Sequence, residues 1–98
     1  MSINSDHIGL ALKAVRKDVG ITVDTVYKEL LIEPSTLHAI EIGVTPPSMN
    51  LFLELAKFYE VDGYIILYLA EAIADPDTFD WAEFCINHYN LDELRKQL

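Results

Sequence analysis

An all-α fold, five helices followed by a C-terminal helical extension, is predicted by three features of this 98-residue chain. Apolar residues recur at three- and four-residue intervals, as in Ile8, Leu12 and Val15, then Val26, Leu30, Leu37 and Ile40, then Leu51, Leu55 and Phe58. Helix punctuation falls between these runs: Thr22 and Ser48 are good N-caps, Pro34 suits a first turn, and Gly20 and Gly43 suit left-handed stops. A near-continuous apolar segment then follows, in which 11 of the 14 residues from Val61 to Ala74 are apolar, so the helix there has to be covered on more than one side. No strand is expected.

The first helix is predicted from about Ser5 or Asp6 to Val19, with Ile8, Ala11, Leu12, Val15 and Val19 inward and Lys13, Arg16 and Lys17 on the opposite side. The second covers about Val23 to Leu31. It carries Val26 and Leu30 inward, but Val23, Tyr27 and Leu31 widen its apolar surface beyond one stripe, so some of these should be exposed. The third, about Pro34 to Ile42, buries Leu37 and Ile40 and turns Ser35, His38, Ala39 and Ile42 outward. Val44 to Pro47 is a rigid exit loop.

The fourth helix, about Met49 to Tyr59, gives Leu51, Phe52, Leu55, Ala56, Phe58 and Tyr59 to the interior, and Asn50, Glu54 and Lys57 form its polar face. The fifth runs from about Asp62 to Ala74. Residues 1–74 are read as one helical domain and 75–98 as the extension. Within the extension, Asp75, Pro76 and Asp77 make a turn and helix start, and Asn90 with Glu93 forms a capping pair for a last helix carrying Leu91, Leu94 and Leu98. The extension is expected to pack on helix five or on a second subunit. The apolar surplus predicts a homodimer, with Tyr64, Leu67, Tyr68, Trp81 and Tyr89 as its candidate interface.

Charge narrows the function. The formal net charge is −9, and the seven cations are Lys13, Arg16, Lys17, Lys28, Lys57, Arg95 and Lys96. None lies between Glu29 and Ala56. Sequence-independent affinity for DNA comes from Lys and Arg neutralising phosphates, so this distribution predicts weak DNA binding. Base contacts from Ser, Thr and His, and phosphate contacts from helix N-termini, remain available to such a chain.

The ordered series Arg16, Gly20, Ile32, Ser35, Thr36, Ile40, Glu41, Gly43, Pro47 and Ser48, set in an ungapped five-helix pattern from Ile8 to Leu67, resembles the Cro-type or lambda-repressor-like helix-turn-helix proteins, also called the xenobiotic-response-element family. The resemblance implies a small transcription regulator of bacterial or phage type whose third helix enters the major groove. It also marks departures. Val23 stands where Gln is usual, and Pro34, His38 and Ala39 occupy third-helix positions that are usually polar or basic. Ile42 replaces a common Arg, Tyr27 a usual Ala and Leu31 a usual Gly. Tyr27 should either widen the crossing of helices two and three or extend its hydroxyl to water.

The candidate DNA- or partner-facing residues are therefore Thr22, Val23, Lys28, Ser35, Thr36, His38, Ala39 and Ile42, with Arg16 and Lys17 as candidate phosphate contacts. Because these positions are largely non-basic, the expected function is regulation through a protein partner, as an antirepressor or a repressor's companion. A homodimeric, sequence-specific repressor is the first alternative, and an acidic decoy occupying another protein's DNA-binding face is the second.

No enzyme, metal or cofactor is expected. Cys85 and His88 lie one helical turn apart, but zinc takes about four ligands and only His7 and His38 are left as nitrogen donors. The four glycines, Gly9, Gly20, Gly43 and Gly63, are scattered and form no phosphate loop. A single cysteine excludes an internal disulfide, the N-terminus has no secretory pattern, and Tyr64 to Ala70 is too short to span a bilayer. A cytoplasmic protein with no membrane partner is expected.

Overall fold

The computed structural model describes residues 4–75 and contains five helices there: α1 (Ser5–Asp18), α2 (Val23–Leu30), α3 (Pro34–Glu41), α4 (Met49–Tyr59) and α5 (Gly63–Ala74). No strand occurs among the described residues. The expected helices of the extension, together with Trp81, Cys85, His88 and Tyr89, lie outside them.

α1, α2 and α4 begin where a side chain accepts from the helix's first free N–H groups, whereas α5 follows Asp62 without such a cap. Asn4, not foreseen as a cap, opens α1: its side chain accepts from the Asp6 and His7 N–H groups, and the His7 Nδ1 accepts from the Asn4 N–H at 3.2 Å. This is a capping box with His in the place usually taken by Glu. Thr22 Oγ1 accepts from the Thr25 N–H at 3.2 Å, and Ser48 Oγ from the Leu51 N–H at 3.1 Å. Pro34 starts α3 with no side-chain cap, since its missing N–H removes one of the orphan donors.

The stops are less uniform. Gly20 and Gly43 adopt φ of 79° and 85°, which glycine reaches without a Cβ clash. Leu31, in the turn between α2 and α3, is also left-handed (φ 59°) and its side chain is 78% exposed. An L-residue with a Cβ is strained there, and the exposed side chain recovers little by packing. Leu31→Gly should therefore raise stability by about 0.5–1 kcal/mol. A lower urea midpoint for this variant would mean that Leu31 is held by contacts that outweigh its backbone strain.

α1 is the central helix, with α5 along one side and α3 across another, while α4 packs on α5 and α2 on α3. Leu12, Val15, Val26, Leu37, Ile40, Leu55, Ile65 and Ile66 are fully buried between them. The crossing of α1 and α3 is close enough that a Cβ on Gly9 would fall onto the Ile40 carbonyl oxygen. Glycine here serves approach, not φ.

α5 is covered on one side by this core and bears exposed Tyr64 and Leu67 on another, with Tyr68, Leu69 and Ile73 half-buried. The Tyr64 and Tyr68 rings meet edge to face, their centroids 5.9 Å apart.

Candidate functional site

Residues of the helix-turn-helix pair were expected to face DNA or a partner. Thr22, Lys28, Ser35, Thr36, His38 and Ile42 are exposed, and Val23 and Ala39 are half-buried. α2 and α3 hold them through Val26, Leu37 and Ile40, which anchor both helices in the core and turn the remaining faces outward. Beside them Tyr27, Leu31 and Val44 are exposed apolar residues, and Glu29 and Glu33 exposed acids.

Arg16 requires a correction. It was expected on the outer face of α1 as a phosphate contact, but it is buried and held by three hydrogen bonds. Its Nε donates to Glu41 Oε2 at 2.7 Å, its Nη2 to Glu41 Oε1 at 3.1 Å, and its Nη1 to the Ile21 carbonyl at 2.9 Å. This bidentate pair ties α1, the α1–α2 turn and the end of α3 together, and leaves the guanidinium no donor fork for phosphate. The Glu41 hydrogen bonds raise the Arg16 pKa further, against the opposing effect of burial. Lys17, the other phosphate candidate, is exposed. Among the described residues, cations outside this pair are Lys13, Lys17, Lys28 and Lys57.

Tyr59 lies beneath this pair with a buried hydroxyl that has no hydrogen-bond partner. Burial first, and the Glu41 charge second, push its phenol pKa well above the usual value. The folded state therefore holds the phenol proton more tightly than the unfolded chain. Stability from this source is complete below the unfolded pKa of about 10 and falls as pH rises beyond it, by up to about 1.4 kcal/mol per pH unit. Tyr59→Phe removes the unsatisfied hydroxyl, so it should gain about 1 kcal/mol at neutral pH and unfold less steeply above pH 10. Urea titrations at pH 7 and 10.5 read both effects, and an equal alkaline loss in the two proteins would refute the assignment.

The sequence reading anticipated only part of a second exposed region, at Tyr64 and Leu67, and missed Met49 and Leu53. Ile8, Pro47, Met49, Leu53, Tyr64 and Leu67 line a groove of about 490 Å³ whose floor includes Phe52. Met49 and Leu53 share one face of α4 at i and i+4, a pattern that could have marked them as a second apolar stripe. Of the expected dimer residues, Tyr64 and Leu67 stand here and Tyr68 lies a turn further along α5. No group of three or more His, Cys, Asp or Glu side chains able to hold a metal ion occurs among the described residues. No helix among them is long and apolar enough to cross a membrane.

Five helices, with α2 and α3 set across a tight turn and α3's outer face free of core contacts, define a helix-turn-helix regulatory domain. Residues 12–65 match the helix-turn-helix family model, so the chain belongs to the Cro- and lambda-repressor-like helix-turn-helix family, whose members are DNA-binding transcription regulators and not typically enzymes. Searches of curated proteins and of solved structures gave no significant match.

Proposed function

We propose that this helix-turn-helix regulator acts mainly through a protein partner, as an antirepressor or as the companion of a DNA-bound repressor, inside the cytoplasm. The observation that carries this reading is the composition of the face where the family reads DNA. From Leu31 to Val44 its exposed side chains include Leu31, Ile42, Val44 and Glu33, with no Lys or Arg in the segment. Burial of Arg16 withdraws one more cation. Among the described residues, the candidate phosphate contacts that remain are Lys28 and Lys17, few charges for tight binding against a net charge of −9.

The experiment is a gel shift with random and self-promoter DNA at low and physiological salt. Affinity on the order of 10⁻⁵ M or weaker, without sequence preference at physiological salt, is expected. Nanomolar, selective binding would refute this reading and favour the alternative, a homodimeric operator-binding repressor.

That alternative has its own support in the exposure of Ser35, Thr36 and His38 on α3 and of Tyr64 and Leu67 on α5. In it, Thr22, Ser35, Thr36 and His38 supply polar contacts, Val23, Ala39 and Ile42 apolar ones, Lys28 and Lys17 hold phosphates, and Tyr64, Leu67 and Tyr68, with Trp81 and Tyr89, join two copies. Loss of selective binding in a Lys28→Ala, His38→Ala double variant would then locate the reader.

A further inference from the structure

We infer that the groove between the start of α1, the α3–α4 loop, α4 and the start of α5 receives an amphipathic helix with basic flanks, presented by the regulatory partner. The inference rests on the partner-binding reading above and assigns it a place. Four large apolar side chains, Met49, Leu53, Tyr64 and Leu67, stand exposed around the groove. Isolated exposed apolar residues are ordinary in a small domain, but a concave cluster is the form in which a helix lays its apolar face, with anchors at i, i+3 or i+4, and i+7. Met49 adds an adaptable wall, since an unbranched thioether repacks around different anchors at little cost.

Charge selects the occupant. Asp62 is the charged residue among those lining the groove. The cleft on one side of it holds Glu60 and Lys57, and the one beside Tyr64, Leu67 and Tyr68 holds Glu71. Among the described residues, three carboxylates against one ammonium make an acidic rim around an apolar floor. Lys or Arg flanking an apolar helical stripe complements it, and would also speed encounter with a chain of net charge −9. A second copy of this chain, expected at Tyr64 and Leu67 from the apolar surplus alone, brings the same acidic rim and so lacks the charge complement that a basic helix supplies. Nucleic acid and anionic membranes find no Lys or Arg in the lining.

The groove is also separate from the third helix. None of Ser35, Thr36 or His38 lines it, so occupancy of the groove and contacts of α3 can be tested independently.

The test uses the full chain and two fluorescent helical peptides with the same Leu stripe, one flanked by Lys and Arg and the other by Glu. Anisotropy should show saturable binding of the basic peptide about tenfold or more tighter than the acidic one, with the difference shrinking at high salt. Leu53→Glu, and separately Met49→Glu, should each weaken it by about tenfold or more, while Leu10→Glu, exposed on α1 and outside the groove lining, leaves it unchanged. Both groove positions are exposed, and far-UV circular dichroism verifies that the variants fold.

Equal binding of the two peptides, or wild-type affinity in both groove variants, overturns the proposal. So does a light-scattering mass of two chains that Leu53→Glu reduces to one, which gives the groove to a second copy. The gel shift separates this failure from that of the broader reading: weak DNA binding with no peptide binding removes only the groove, whereas tight operator binding removes the partner reading itself.

Discussion

Arg16→Met is expected to destabilise the domain by about 3–5 kcal/mol, enough to unfold a large fraction of a protein this small. The cost arises from what remains. Glu41 is 3% exposed, and without Arg16 its carboxylate loses both of its charge-assisted hydrogen bonds while staying away from water. The Ile21 carbonyl loses a donor at the same time.

A buried pair is much weaker evidence of net stability than of mutual dependence, because an apolar pair of similar volume can replace it at little cost. The Arg16→Met, Glu41→Leu double variant should therefore recover most of the loss. Urea midpoints for the two single variants and the double variant form the measurement. A loss below about 1 kcal/mol in Arg16→Met, or a double variant no better than the worse single one, would disprove the buried-pair account.

Gly9→Ala should lower the melting temperature by about 10 °C, although alanine is the better helix former by about 1 kcal/mol. The methyl group would occupy the space of the Ile40 carbonyl oxygen and approach the Glu41 carbonyl carbon and oxygen to about van der Waals limits or less. Both obstacles are backbone, so no rotamer change relieves them. α1 has to move away from α3, which also stretches the Arg16 to Glu41 bonds that bridge the same two helices. A rise in melting temperature would mean that the crossing opens freely and that helix propensity alone governs the position.

Much of the fold was legible because helix formation here is local. The α4 bounds agree with expectation, α2 and α3 each end one residue earlier, and Thr22, Pro34, Gly20, Gly43 and Ser48 act where their side-chain chemistry or missing Cβ suits the chain to do so. Leu31 was legible only in part: its departure from glycine could be read, but the positive φ it is forced to adopt could not. The reading face was legible as composition, since a segment without Lys or Arg has none wherever it is placed.

The chain's own sequence thus determined its helical class, its caps, its apolar faces and its acidity, all of which follow from neighbours within about four residues or from composition. Tertiary structure alone decided the rest. Arg16 reads as one of three cations on a polar helix face until Glu41, 25 residues away, meets it at the end of α3 and draws it inward. Met49 and Leu53 belong to neither the inward nor the polar face read for the fourth helix, and packing leaves them uncovered beside Tyr64 and Leu67. Gly9 reads as one of four scattered glycines until α3 crosses at its Cα. Periodicity states which side chains avoid water, but which of them find a partner, and whether that partner belongs to the same domain, is set by how the helices cross.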